Sequence, residues 1–147
     1  MACILLVEDE AEIRTMLAEV LENAGHVVVE ADSGDSAALL LDSPANFDLL
    51  VTDINMPGLL DGIGLAALFR ALHAFRPILY ITGRPDALRK VPMQPNREAV
   101  LLKPYVLRPL VATVRTMLAA AELEAGFRPC PDPALSAHGS QTLLAAS

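Results

Sequence analysis

The sequence predicts an α/β protein in which five helices cover both faces of a doubly wound, five-stranded parallel sheet. Short apolar runs of strand length alternate along the chain with stretches whose apolar residues recur at helical spacing. Strands that alternate with helices pair in parallel, and right-handed crossovers place the helices on both faces. The 147 residues, 53% hydrophobic and 20% charged, are typical of one globular domain with room for a tail.

The first third of the chain contains two strand–helix pairs. Cys3 to Val7 is rich in Ile, Leu and Val and ends abruptly at acids, which is typical of a central strand. A helix is predicted from Ala11 to Ala24, and Gly25 supplies its left-handed cap. The β-branched run from His26 to Glu30 predicts the second strand. Ser33 can then cap a helix that continues to about Leu41.

The third strand is the apolar run that begins at Leu49 and stops at Asp53. Pro57-Gly58 is a strong turn signal just beyond it. The Asp61-Gly62 turn leads into a helix that continues to about Ala74. The apolar residues at helical spacing in this helix are predicted to form its buried stripe: Ile63, Leu65, Leu68, Phe69 and Leu72.

Two further strands are predicted, Pro77 to Thr82 and Ala99 to Leu102. The prolines between them restrict any helix there to a short one, about Asp86 to Val91. A long final helix is predicted from Leu107 to Ala125 because its apolar residues share one face.

Residues 126–147 have a different composition from the rest of the chain. They contain three prolines in five positions, followed by small and polar residues. Such a segment cannot bury enough apolar surface to offset the entropy lost on ordering. The sequence therefore predicts a folded domain of residues 1–125 followed by a mobile tail.

Charge and composition exclude several classes of function. The net charge of -7 and the scattered 11 Lys and Arg argue against direct nucleic-acid binding. No long apolar stretch predicts a membrane span, and the segment MACILLVEDE is a first strand and not a signal peptide. Cys3 and Cys130 lack metal-ligand spacing, which favours a reduced, cytoplasmic protein over a disulfide scaffold.

Five polar side chains are expected at the carboxyl ends of the strands, where open parallel sheets bind ligands. They are Glu8, Asp9, Asp53, Thr82 and Lys103. Three carboxylates in one crevice repel each other unless a cation neutralises them, and oxygen ligands favour Mg²⁺. Asp53 is the expected nucleophile toward an activated phosphorus, while Lys103 and Thr82 would bind the phosphoryl oxygens.

The order and spacing of these residues resemble those of a known family. The segments VEDE at 7–10, DINMPG at 53–58, TG at 82–83 and KPY at 103–105 together resemble the receiver domain of two-component response regulators. The resemblance covers about residues 3–125. It implies a flavodoxin-like fold with strand order 2-1-3-4-5. It also implies phosphorylation of Asp53 by a histidine kinase or a histidine phosphotransfer protein.

The resemblance assigns a role to each site residue. It implies that Glu8, Asp9 and Asp53 bind Mg²⁺ or Mn²⁺, with the backbone carbonyl of Asn55 as a further ligand. It makes Thr82 and Lys103 the pair that senses the phosphoryl group. The expected protein is a signalling phosphoacceptor, not an enzyme, and it catalyses only its own phosphorylation and dephosphorylation.

Two features depart from the family pattern. Most receivers have an aromatic switch residue three positions before the lysine, where this chain has Val100. The loop PGLLDG at 57–62 is one residue longer than the common PGMDG. Arg84 lies two residues beyond Thr82, where the family places a side chain that governs water access to the acyl phosphate. Our hypothesis is that Arg84 alters the lifetime of that group.

Three functions fit parts of this pattern. The favoured one is a stand-alone receiver that signals through a partner protein or carries phosphoryl groups. Its output surface is expected around the helix after strand four, strand five and the last helix, where a homodimer could also form. A phosphorylation-independent binding module on the same fold is the alternative. A haloacid-dehalogenase-type phosphatase needs a second acid where Asn55 stands.

Overall fold

A computed structural model describes residues 2–43, 46–84, 86, 97–103 and 107–125, with side chains omitted for 107–108 and 122–125. This part of the chain contains five strands and four helices, which alternate except that β5 follows β4 directly in the described order. The strands are β1 (Cys3–Val7), β2 (Val27–Ala31), β3 (Leu49–Asp53), β4 (Ile78–Thr82) and β5 (Glu98–Leu102). The helices are α1 (Ala11–Asn23), α2 (Gly34–Leu41), α3 (Gly62–Leu72) and α4 (Leu107–Ala125). Of the predicted short helix at about Asp86 to Val91, only Asp86 is described, and the tail 126–147 lies outside the described residues.

All five strands form one parallel sheet in the order β2-β1-β3-β4-β5, so the predicted topology is confirmed. The register aligns the carboxyl ends of the strands. Val7 pairs with Ala31 and Thr52, and Thr82 pairs with Leu102. The residues that end or follow β1, β3, β4 and β5 therefore meet at one edge of the sheet.

Two separate cores lie on the two faces of the sheet. Successive side chains of a strand point to opposite faces, and in β1 Leu5 belongs to one core while Ile4 and Leu6 belong to the other. Helices α2 and α3 cover the first core, and α1 and α4 cover the second. Every residue of β1, β3 and β4 is buried, as expected for strands covered on both sides.

The predicted caps at Ser33 and Gly25 are confirmed, and Asp61, predicted only as a turn residue, is a further cap. The Ser33 hydroxyl accepts a hydrogen bond from the Ser36 amide at 3.0 Å, and the Asp61 carboxylate accepts one from the Gly64 amide at 2.9 Å. Gly25 has φ of 99° after α1, a conformation that glycine adopts at little cost. Helices α2 and α3 therefore begin where these side chains satisfy their first amides.

Some predictions about individual positions are wrong. Leu72 is 51% exposed, because it is the last residue of α3 and the stripe of that helix closes at Phe69. Strand β5 begins at Glu98, an acid that is buried there because it pairs with Arg70 at 3.0 Å. Cys3 is disulfide-bonded, whereas the sequence analysis predicted a reduced cysteine. Among the described helices, none is long and apolar enough to cross a membrane.

Candidate functional site

Three strand ends bring a lysine between two buried acids. Glu8 follows β1, Asp53 ends β3, and Lys103 follows the edge strand β5. The ammonium Nζ of Lys103 lies 3.0 Å from Asp53 Oδ2 and 3.1 Å from Glu8 Oε1. The two carboxylates are buried and Lys103 is only partly exposed. The sequence prediction that these groups lie close together is therefore supported by their geometry.

The acidic crevice contains three carboxylates. Glu8, Asp9 and Asp53 each offer a ligand oxygen, and these oxygens lie within 4.8 Å of one another. Asp9 is exposed, so the crevice is open to solvent on that side. This set of oxygen donors is suited to a hard divalent cation such as Mg²⁺ or Mn²⁺.

The electrostatics of Glu8 agree with a cation-binding role. Burial, followed by the charge of Asp53, raises the pKa of Glu8 to about 7. Its Oε2 accepts a hydrogen bond from the Glu10 amide at 3.2 Å. Its Oε1 is buried, and its partner is the ammonium of Lys103 in a 3.1 Å ion pair. Glu8 therefore retains an acceptor atom that a cation could use.

Lys103 compensates part of this negative charge. Burial disfavours its charged form, but the hydrogen bond to Asp53 and the charge of Glu8 outweigh this effect and raise the pKa of Lys103. Its backbone amide also donates to the Thr82 carbonyl at 2.9 Å, which joins the ends of β4 and β5. The lysine is thus fixed at its backbone and charged at its tip.

Thr82 is fully buried at the end of β4. Its hydroxyl oxygen accepts a hydrogen bond from the backbone amide of Arg84 at 2.9 Å. The side chains of Arg84 and Asn55 are exposed at the same end of the sheet. Pro104 and Tyr105 of the KPY motif lie outside the described residues.

Val100 occupies the position at which most receivers have an aromatic switch residue. Val100 pairs across the sheet with Tyr80, whose ring is fully buried in the core beneath α3. The Tyr80 hydroxyl lies 3.4 Å from Arg70 Nη2, and Arg70 Nε donates to Glu98. Among the described residues, the ring beside position 100 therefore belongs to β4, and its hydroxyl lies near Arg70 of α3.

Sequence reasoning missed residues that hold the crevice from behind. Arg14 of α1 is buried and its Nη1 donates to the Glu8 carbonyl at 2.8 Å, while its Nε lies 3.3 Å from Glu30. Gly62 packs so closely on the Asp53 carbonyl that a Cβ would overlap it. The spacing of polar residues in α1 gives no signal for Arg14. The glycine signal at Asp61-Gly62 indicated a turn but not this contact.

Glu8 is expected to make stability depend on pH. An unfolded glutamate titrates near 4.5 and the folded one near 7, so the folded state holds the proton more tightly. This contribution is complete below pH 4.5 and is lost as the pH rises to 7. The unfolding free energy of the wild type should therefore fall between pH 4.5 and pH 7. In Glu8→Gln, which cannot titrate at this position, we expect this fall to be smaller by about 2 kcal/mol.

Urea denaturation at several pH values would measure this effect. Glu22→Gln, which changes an exposed acid of α1, is the matched control and should keep the wild-type pH profile. Identical profiles for Glu8→Gln and wild type would contradict the raised pKa of Glu8.

Comparison with known proteins identifies the family. Residues 4–115 match the response regulator receiver domain. The response regulator receiver protein CpdR of Brucella abortus is 41% identical over 119 residues, which are 80% of this chain and 98% of CpdR. The transcriptional regulatory protein ResD of Bacillus subtilis is 33% identical over 125 residues, covering 84% of this chain and 51% of ResD. This chain therefore spans about half the length of ResD.

Solved structures of receivers share this fold. A response regulator receiver protein from Sinorhizobium medicae has a TM-score of 0.73 and 33% identity, covering 82% of this chain and 97% of its own. The receiver domain of the hybrid histidine kinase CckA has a TM-score of 0.66 and 31% identity, covering 79% of this chain and 98% of its own. With strand order, family match and close relatives in agreement, the chain belongs to the response regulator receiver family.

Proposed function

We propose that this receiver accepts a phosphoryl group on Asp53 from a phosphohistidine of a histidine kinase or phosphotransfer protein. The observation that carries this proposal is the Lys103 ammonium between Asp53 and Glu8, at 3.0 and 3.1 Å, beside the exposed Asp9. A carboxylate nucleophile, a fixed cation and an acidic metal crevice are the parts that phosphoryl transfer needs.

Asp53 would attack the phosphorus through a carboxylate oxygen. The new oxygen–phosphorus bond forms as the phosphorus–nitrogen bond breaks, and the donor imidazole leaves with that electron pair. Lys103 would then pair with a phosphoryl oxygen in place of the Asp53 carboxylate. The Thr82 hydroxyl accepts from the Arg84 amide, so its own hydrogen can be donated to the phosphoryl group.

Glu8, Asp9, Asp53 and the backbone carbonyl of Asn55 would hold the Mg²⁺ or Mn²⁺ ion. A bound ion supplies neutralisation of the charge on the phosphoryl oxygens during transfer. The buried Oε1 of Glu8, which has only the ion pair with Lys103, and the closeness of the three carboxylates support this assignment. The related structure of TrrA from Thermotoga maritima, 27% identical with a TM-score of 0.67, is a complex with Mg²⁺ and BeF.

The output is proposed to pass through a partner protein in the cytoplasm. The alignment with 98% of CpdR, a response regulator receiver protein, supports the proposed receiver domain of residues 1–125, which is followed by the tail 126–147. The partner surface would include β5 and α4, and a homodimer could use the same surface. With Val100 in the switch position, Thr82 and Lys103 would transmit the signal by drawing their loops toward the phosphoryl group.

Phosphorylation by a small donor tests this function directly. Intact-protein mass spectrometry after incubation with acetyl phosphate should show one phosphoryl adduct that requires Mg²⁺ or Mn²⁺. EDTA should abolish the adduct, because the crevice would then hold uncompensated carboxylates. Phosphorylation that is unaffected by EDTA would contradict the metal assignment, and the absence of any adduct would contradict the function.

Arg84 is expected to affect how long the phosphoryl group survives. Its amide is bonded to Thr82 and its side chain is exposed beside the crevice, where it can shield the acyl phosphate from water. Arg84→Ala should shorten the dephosphorylation half-life by about threefold, because the acyl phosphate loses this shield. A change of about threefold is the size expected for one exposed charged contact. Arg115→Ala, an exposed position on α4, is the control. Equal half-lives for wild type and Arg84→Ala would contradict this role.

A further inference from the structure

Helix α2 contacts the loop that follows the phosphoacceptor strand. Asp35, in the first turn of α2, accepts two hydrogen bonds from this loop: from the Leu59 amide at 3.1 Å and from the Leu60 amide at 3.0 Å. Both carboxylate oxygens are used, one for each amide. A charged acceptor bonded to two consecutive amides holds their peptide planes in one orientation.

Two glycines allow this close contact. Gly58 has φ of 108°, and a Cβ there would lie 2.6 Å from Asp35 Oδ2. On the helix side, a Cβ on Gly34 would overlap the carbonyl of Leu60. The backbone of the loop and the start of α2 therefore approach each other to a distance that side chains would prevent.

The same loop has a second point of attachment at its base. Ile54 and Met56 are buried in the core, and the Gly62 amide donates to the Ile54 carbonyl at 2.9 Å. Between these points, residues 57–59 are exposed, and the Leu59 side chain is 97% exposed. The core therefore does not fix the tip of the loop, and Asp35 does.

We propose that Asp35 is a positioning residue for metal binding, which rests on the proposed role of the Asn55 carbonyl as a ligand. Asn55 lies between two buried residues at the base of this loop, and the peptide that carries its carbonyl leads through Met56 to the tip that Asp35 holds. Holding the tip in advance reduces the conformational entropy that metal binding would otherwise cost. Asp35 would thus raise the affinity of the crevice for Mg²⁺ without touching the ion.

The direct test is the dissociation constant of Mg²⁺, measured by titration with backbone amide NMR. Asp35→Ala should weaken binding about fivefold, comparable to the loss of one charge-assisted contact. Gly58→Ala should weaken it in the same direction, because its Cβ would displace the Asp35 carboxylate without changing any charge. Asp42→Ala, an exposed acid at the other end of α2, should change the constant less than twofold.

Hydrogen exchange gives a readout that is independent of the metal. The Leu59 and Leu60 amides should exchange at least about fivefold faster in Asp35→Ala than in wild type, since they lose their acceptor. Asp35→Asn, which keeps one good acceptor, should fall between the two proteins in both measurements.

The outcomes separate this proposal from the proposed function. If wild type binds Mg²⁺ and Asp35→Ala binds it equally well, the positioning role is wrong and the metal site stands. If Asp35→Ala weakens binding but Gly58→Ala does not, the effect is one of long-range charge and the positioning role is also wrong. Wild type that binds no Mg²⁺ would overturn the proposed metal site and this role together.

Discussion

Asp53→Asn is expected to abolish phosphorylation by acetyl phosphate, lowering the adduct at least about a hundredfold. The carboxamide keeps the shape of the side chain but lacks the charged oxygen that attacks phosphorus. The fold should persist, because the change removes one of the two carboxylates that flank Lys103 and leaves the other. Mass spectrometry of the intact protein would measure the adduct.

Asp42→Asn is the matched control for this substitution, since it changes an exposed acid at the end of α2. It should be phosphorylated like wild type. A persistent adduct on Asp53→Asn would contradict the acceptor assignment, and peptide mapping would then show which carboxylate carries the group. The far-ultraviolet circular dichroism of all three proteins would establish that they are folded.

Lys103→Met is expected to destabilise the fold most at alkaline pH. It leaves Glu8 and Asp53 buried without their cation, which should lower the unfolding free energy at pH 8 by about 2 kcal/mol. The pKa of Glu8, already raised to about 7, should rise further when the lysine is lost. Below pH 5 Glu8 is protonated in the variant, so most of the lost stability should return.

Urea denaturation at pH 5 and pH 8 would measure this difference. Lys103→Arg keeps the positive charge and is the control. Its loss of unfolding free energy should depend less on pH than that of Lys103→Met. Addition of Mg²⁺ at pH 8 should partly restore the Met variant, because the ion replaces the missing positive charge. A loss of stability that is equal at both pH values would contradict the assigned role of Lys103 as charge compensation.

The fold and the main acidic and basic side chains of the site follow from local patterns in the sequence. Apolar runs such as Cys3 to Val7 define the strands, and parallel pairing brings their carboxyl ends together. Glu8, Asp53 and Lys103 could therefore be grouped from their positions in the chain alone. The positions of Thr82 and Asp9 follow from the same rule.

Contacts between distant elements could not be predicted in this way. Arg14 has the sequence context of a surface arginine, yet it is buried against the Glu8 carbonyl. Asp35 has the context of an ordinary first-turn acid, and its two amide partners follow more than twenty residues later. Glu98 is a buried acid at the start of a strand, and Arg70 of α3 pairs with it. Each case depends on a tertiary neighbour that periodicity does not reveal.

The ion pair between Lys103 and Glu8 joins two residues that are far apart along the chain, one after the first strand and one after the last. Contacts of such sequence separation form late, because the chain between them must be ordered first. During synthesis, the strands that carry Glu8 and Asp53 leave the ribosome long before Lys103 does. A nascent chain therefore exposes the acids without their cation, and we expect it to be a poor phosphoryl acceptor until β5 has joined the sheet.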